Sequence, residues 1–350
     1  MSQHSSSGTL SPTLPLPSAL ANDYAGLKLH IKKLGLLEKQ PVYYTYKIFL
    51  TMGLLVVGLL FLVFGPHSWI QLLNAAYLAI VFAQIGFIGH DIGHRQIFAS
   101  GWKNDLAGLV CADLLVGMSL GWWIDKHNRH HSHPNQIDLD PDLNLPGISF
   151  TLEEARTRRN FGRFIMLHQI FLFFPMLLFV ALDLQRASVS YLLHEKGKYR
   201  LLESVLLLLH FVVPTCVLLA LLGFWPTIAF IALHQALLGF ILGSAFAPNH
   251  KGMPVLAKEC DMDFLRRQVL TARNIRASRF TDFWYGGLNY QIEHHLFPSM
   301  PRNNLRAAQR VVKAFCQEYD ISYAETGILG SYQAVLHQLH EVSTSARQAE

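Results

Sequence analysis

The chain has 350 residues, of which 51% are hydrophobic and only 15% charged, with a mean hydropathy of +0.26. A typical soluble domain carries roughly 25% charged residues, so a soluble globular protein is excluded. The net charge of +5 is modest, and the basic residues gather beside hydrophobic segments, which suits anionic lipid or a phosphate-bearing substrate rather than nucleic acid.

The first 22 residues are rich in Ser and Pro and read as a disordered tail without the apolar stretch of a cleavable signal peptide. Residues 23–45 form an amphipathic segment, with Leu27, Leu34 and Leu37 among Lys28, Lys32 and Lys33. Such a stretch suits the membrane surface, and an ordinary solvated helix equally well. No charged residue occurs between Lys47 and Asp91, nor between Glu203 and Lys251. Each gap holds two membrane-spanning helices of about 20 residues joined by a short turn. The first hairpin runs from about Tyr46 to Gly89 and turns at Gly65-Pro66-His67. The second runs from about Ser204 to Ala247 and turns at Phe224-Trp225-Pro226. Basic residues flank the other ends (Lys28, Lys32, Lys33 and Lys47; Lys196, Lys198 and Arg200; Lys251), which places those ends in the cytoplasm.

Two further apolar stretches are read as shallow. Residues 106–124 carry Asp113, costly in lipid unless paired. Residues 164–182 contain Pro175 and have basic residues on both flanks, which argues against a crossing. The result is an all-α integral membrane protein with four transmembrane helices in two hairpins, interfacial helices and a cytoplasmic helical cap. The membrane domain covers 46–323, and a C-terminal helix and tail cover 324–350. Amphipathic helices are expected near 303–318 and 331–341. Four cysteines without CxxC spacing support neither a disulfide scaffold nor a zinc ribbon.

Histidine is the unusual residue, at 18. Three clusters stand out: His90-Asp-Ile-Gly-His94, His127-Asn-Arg-His130-His131 and Gln291-Ile-Glu-His294-His295. The i,i+3 and i,i+4 spacings put each set on one helix face, and neutral imidazoles so gathered bind Fe, Zn or Cu. Topological parity supports a common site. The clusters converge only if 106–124 and one later apolar segment fail to cross, and the charge arguments select the same segments. Seven histidines plus Gln291 exceed the four ligands of a zinc site, which implies two transition metals. His250, directly after the last span, is placed to be an eighth histidine ligand.

His133 sits off the face shared by its neighbours, and one pair such as His337 and His340 is expected by accident among so many histidines. His168, His210 and His234 read as packed, hydrogen-bonded rings. Asp91, Asp125, Asp138, Asp140, Asp142 and Glu293 are either carboxylates that orient imidazoles or ordinary surface charges.

HDIGH, HNRHH and QIEHH, between and after two hydrophobic hairpins, resemble the three histidine boxes of the membrane fatty acid desaturase family, over about Tyr46 to Tyr323. Gln opening the third box, the string GGLNYQIEHHLFPSMPRNNL (286–305) and the Asn249-His250 pair resemble its front-end branch. That branch inserts a double bond between an existing one and the carboxyl end. The resemblance implies an O2-dependent, linoleoyl-CoA desaturase-like enzyme that places a cis double bond in a long-chain acyl-CoA or acyl-lipid. It further implies two non-haem irons held by His90, His94, His127, His130, His131, His294 and His295, with His250 joining them and Gln291 acting directly or through water. No catalytic side chain is expected beyond this metal centre.

One departure matters. Many front-end desaturases carry a fused cytochrome b5 domain with an HPGG haem motif, which is absent here. Electrons are therefore expected from a separate donor, a ferredoxin or cytochrome b5 with its reductase. The resemblance leaves Trp122 and Trp123 to line an acyl channel or to sit in an interfacial aromatic belt. Arg95, Lys126, Arg129, Arg266, Arg267, Arg273, Arg276 and Arg279 are left to bind carrier phosphates or lipid headgroups. The site and both termini are expected on the cytoplasmic side of a bacterial cell membrane. A related di-iron hydroxylase or a sphingolipid or carotenoid desaturase is the rival within oxidative chemistry. A membrane zinc hydrolase or metal transporter is the rival outside it, disfavoured by the lack of HExxH and of charge inside the hairpins.

Overall fold

Four stretches too apolar to be solvated form the longest apolar helices of the computed structural model, which describes residues 20–348. The tail expected over residues 1–22 lies outside the described residues up to position 19. In chain order the helices are α1 (Leu20–Lys33), α2 (Pro41–Phe64), α3 (Gln71–Gly93), α4 (Gly101–Gly108), α5 (Leu120–Ser132), α6 (Leu152–Thr157), α7 (Asn160–Leu167) and α8 (Gln169–Leu177). They continue as α9 (Val180–His194), α10 (Arg200–Leu222), α11 (Phe224–His250), α12 (Phe264–Leu270), α13 (Arg279–Trp284), α14 (Gln291–Leu296), α15 (Leu305–Glu318) and α16 (Ile328–Gln348). The only strands among the described residues are Asn274–Ile275 and Glu325–Thr326, paired in parallel.

The spans α2, α3, α10 and α11 have 24, 23, 23 and 27 residues. At 1.5 Å per residue each exceeds the roughly 30 Å hydrocarbon core. Val57, Leu60, Leu201 and Leu208 lie exposed on α2 and α10, a surface that only lipid can cover. The other faces pack inward: Ala79, Ala83 and Phe87 of α3 meet Leu238, Leu242 and Ala245 of α11.

The first hairpin turns over residues 65–70, three residues longer than predicted. The second turns at Gly223, with φ +76, so the predicted turn residues Phe224, Trp225 and Pro226 instead open α11. The first helical turn has no partner for its amide hydrogens, so Pro226 costs nothing there.

Both shallow segments are bent. α4 runs through a π-helical stretch (Leu109–Val116) and breaks before α5 at 104°, while α8 and α9 meet at 74°. Gly117 forms the first elbow at φ +79, where an added Cβ would also strike the His210 ring. Asp113, fully buried, accepts from the Leu120 amide at 3.2 Å and hydrogen-bonds Glu203. Glu203 in turn accepts from Ser119 Oγ at 2.5 Å and the Gly121 amide at 3.1 Å. The carboxyl that looked costly in the sequence thus ties the elbow to α10, sharing a proton with Glu203.

The polar C-terminal third folds over one end of the bundle, with α15 and α16 covering the predicted amphipathic stretches. α1 joins it: Leu27 and Ile31 are buried in a core with Leu265, Val269, Leu305 and Val312. That face of α1 meets protein rather than lipid or water. Val335 and Leu339 of α16 pack on Phe173 and Leu177 of α8.

Since the histidines before and after each bent pair meet in space, both pairs return to the side they left. Cysteines introduced at His67 and Trp225 are expected to react with an impermeant reagent from one face, and one at Arg186 only from the other. Labelling of all three from the same face would contradict this topology.

Candidate metal centre

Four helix ends deliver the three clusters to one place. The last turn of α3 carries His90, with His94 at its cap, and the two ring centroids lie 4.6 Å apart. α5, whose start is capped by Ser119 accepting from the Trp122 amide, presents His127, His130 and His131 over its last turns. α11 ends on His250, and α14 is a short helix whose residues Gln291–Leu296 are all buried. Close approach of α3 to α5 requires Gly93, where an added Cβ would collide with the Trp123 ring.

The imidazoles form two groups. His90, His94, His127 and His294 each offer a nitrogen within 4.8 Å of the others, and so do His130, His250 and His295. His94 Nε2 and His127 Nε2 stand 2.9 Å apart, His130 and His250 Nε2 3.3 Å, and His250 and His295 Nε2 3.0 Å. His131 joins the groups: its Nε2 lies 3.1 Å from His127 Nε2, and its ring stacks on His295 at 4.2 Å. Buried nitrogens aimed at one another without a proton-bearing partner leave unmet polar demand, and His90 Nε2 and His294 Nε2 have no hydrogen-bond partner among the described residues. A donor set made of imidazole nitrogens fits divalent first-row metals.

The far side of several rings fixes which nitrogen faces inward. His250 Nδ1 contacts the Thr271 carbonyl at 3.0 Å, and His130 Nδ1 contacts the Asp140 carboxylate at 3.0 and 3.1 Å. Both partners can only accept, so Nδ1 holds the proton and the Nε2 lone pair is left for a metal. Gln268 does the same for His295: its amide nitrogen donates to the His131 carbonyl, so its oxygen meets His295 Nδ1 at 2.8 Å. Gln291 is oriented by the same logic. Asn249 donates to two carbonyls and to Gln291 Oε1, which turns the Gln291 amide nitrogen toward His250 Nε2 at 2.9 Å.

Burial, reinforced by the neighbouring imidazoles, holds His94, His127, His131, His294 and His295 well below the usual histidine range. They are neutral and open to a metal. Burial also opposes charge on His130, but Asp140 and Asp142 outweigh it and raise that histidine. Asp142 is itself held by Lys126. Burial pushes the Glu293 carboxyl up to about 7, against hydrogen bonds from Tyr323 and Asn274.

All nine residues singled out in the sequence, the eight histidines and Gln291, come together. Among the described residues, the other histidines do not. His133 Nδ1 bonds Gln136, His168 and His210 bond backbone carbonyls, His234 packs edge-on against Phe82, and His337 faces Glu341 at the surface. Asp91 and Asp140 prove to be buried partners of the site, while Asp125 and Asp138 pair with Arg129 and Lys258 at the surface. Trp123 stacks on His127 at 4.4 Å and shares with His90 the wall of a small apolar cavity reaching Gly86, Cys111 and Leu120. Trp122 instead lies under Lys126. Several of the basic residues are committed elsewhere: Arg266 to Asp263, Arg267 to Ser132 and Met262, and Arg273 to Lys251.

Sequence reasoning missed Arg302, Gln268, Thr271 and Tyr44. Arg302, 7% exposed, pairs with Asp91 at 2.6 Å and donates to the Phe87 carbonyl. The single Tyr44 hydroxyl hydrogen is shared between Gln96 Oε1 at 2.8 Å and Asp91 at 3.1 Å, and its oxygen accepts from the Arg302 amide. Asp91 Oδ1 stands 3.5 Å from His90 Nδ1, so Arg302 braces the first box from the far side of the third. The available signal was a lone Arg beside Pro in the otherwise apolar stretch after QIEHH.

The fold and site define a multi-pass membrane protein built around a buried cluster of imidazole nitrogens suited to metal. A profile of the fatty acid desaturase family matches residues 66–327, and the chain belongs to that family. It is similar to an acyl-lipid (9-3)-desaturase of Physcomitrium patens, 32% identical over 95% of this chain and 64% of the moss protein. It is also similar to a delta(8)-fatty-acid desaturase of Euglena gracilis, 30% identical over 90% of the chain and 78% of the relative. A third relative is the delta(5) fatty acid desaturase fat-4 of Caenorhabditis elegans, 28% identical over 97% of the chain and 78% of that protein. The chain thus spans less than two thirds of the moss relative's length.

Proposed function

We propose that this protein is an O2-dependent front-end desaturase acting on a long-chain acyl-CoA or acyl-lipid that already holds a double bond. The observation that carries this is the convergence of eight imidazoles on one buried centre in a member of the desaturase family. The front-end position rests on the relatives, whose names place their double bonds at delta(5), delta(8) or (9-3).

In this reading two irons are held, one by His90, His94, His127 and His294, the other by His130, His250 and His295, with His131 between them. Gln291 presents its amide nitrogen and acts through water. The chemistry supplied by the irons is activation of O2 for taking hydrogen from an unactivated C–H bond, which no acid or base side chain achieves. The protein's own work is positional. Asp140, Thr271 and Gln268 keep the Nε2 lone pairs aimed inward. Burial keeps His94, His127, His131, His294 and His295 neutral. The basic flanks of the spans support a centre on the cytoplasmic side.

In this reading the electrons come from a donor outside these 350 residues, which contain no HPGG haem motif, iron–sulfur cysteine set or dinucleotide fingerprint. Purified protein given acyl substrate, O2 and NADPH is expected to be inactive. Adding a ferredoxin or cytochrome b5 with its reductase is expected to yield product lighter by two hydrogens. A product heavier by one oxygen would make it a hydroxylase, and no conversion with either donor would refute the reading.

A further inference from the structure

A second cavity, of about 650 Å³, is walled in part by the metal centre itself. Its walls include His131 and His295, with Lys28 of α1 at the rim and Phe264, Phe297 and Pro298 beside them. α1 is fixed over this cleft. Tyr24 donates to the Leu296 carbonyl and stacks on Phe297 at 6.0 Å, while Leu27 and Ile31 sit in the core below.

No carboxylate lines the cleft. The outer face of α1 carries Lys28, Lys32 and Lys33, all exposed and without an ion-pair partner among the described residues. Asp23, the acidic residue in the first turn of α1, faces Arg266 at 3.9 Å. Lys28 stands at the rim, with Lys32 and Lys33 beyond it on the same helix, over a wall that is part apolar (Phe264, Phe297, Pro298) and part polar (Asn128, Ser132, Ser299); exposed positive charge beside a contact surface is the pattern of a steered encounter.

We propose that this cleft is the docking surface of an acidic one-electron carrier protein, which reduces the metal centre through the His131 and His295 rings. The inference rests on the desaturase reading, in which each turnover is R–CH2–CH2–R′ + O2 + 2 e⁻ + 2 H⁺ → R–CH=CH–R′ + 2 H2O. The electrons arrive singly, in two encounters per turnover, and are consumed in reducing O2 to water. Two observations favour this entry. Electron transfer weakens steeply with distance, and here the rings of the centre themselves form the cavity wall. The two rings stack at 4.2 Å, and His131 also touches His127 of the other group, so one contact serves both halves.

The test uses the full-length protein with a reduced acidic ferredoxin as the probe, and compares wild type with K28E/K32E and with K196E as a charge control. The K28E/K32E protein is expected to need about tenfold or more ferredoxin for half-maximal rate at low salt. The gap should close at high salt, where the attraction is screened. Half-saturation by acyl substrate, and turnover driven by dithionite, which needs no docking, are expected to match wild type, and K196E should behave as wild type throughout. An unchanged ferredoxin requirement would overturn the proposal. So would a raised requirement for acyl substrate instead, which would assign the lysines to the phosphate of the acyl carrier. Wild-type protein that forms no lighter product even with dithionite would overturn the desaturase reading and this inference with it. A dithionite-competent wild type with unshifted K28E/K32E overturns the docking surface alone.

Discussion

H90A, H131A and H295A are each expected to abolish double-bond formation and to leave the purified protein depleted of iron. Each removes one nitrogen from a closed donor set at helix ends that pack tightly, so no other side chain can move in. His90 and His295 belong to different groups, so their loss should empty different halves first. His131 lies between the groups, against His127 on one side and His295 on the other, and its loss should weaken both. Disturbing even the outer partner of a ligating histidine costs 10–100-fold in affinity or activity, and loss of the ligand itself should exceed that. H337A, at a surface ring facing Glu341, is expected to keep its iron and its activity. Iron content and product formation measured on the same preparations check both parts. Full iron in H90A or H295A would mean that the donor sets are drawn wrongly.

R302M is expected to lose most folded protein. Removing the guanidinium strands the Asp91 carboxylate, which is 2% exposed, with only Tyr44 donating to it and His90 beside it. Breaking one side of a buried ion pair typically costs about 3–5 kcal/mol, a large share of a protein's total stability. The double variant D91N/R302M removes the stranded charge and is expected to recover much of the folded yield. It should remain low in iron, because the carboxylate beside His90 Nδ1 is gone. Yield of monodisperse protein separates the structural effect, and iron per folded chain separates the effect on the centre. Equal behaviour of the single and double variants would show that the Arg302–Asp91 pair carries no such energy.

The three boxes were legible in the sequence because each is local. Ligands three and four residues apart must share a helix face, and the two uncharged gaps fix how many crossings lie between the boxes. Asp113 was legible as a problem, and its partner Glu203 was not, because 90 residues separate them. Arg302, Gln268 and Thr271 escaped for the same reason: their roles exist only once the cap has folded over the bundle. α1 offered an amphipathic stripe but no clue to what covers it, and the answer is the core around Leu265 and Val312. The second hairpin turn was misplaced by weighting Pro226 as a breaker, when a first helical turn accepts proline.

Counting metals in the purified wild-type protein tests the central claim most directly. Seven imidazoles in two groups, with His131 between them, predict about two irons per chain with little zinc, lost together with desaturase activity on chelation. Stoichiometric zinc with no iron, or a single metal per chain in fully active protein, would contradict the account.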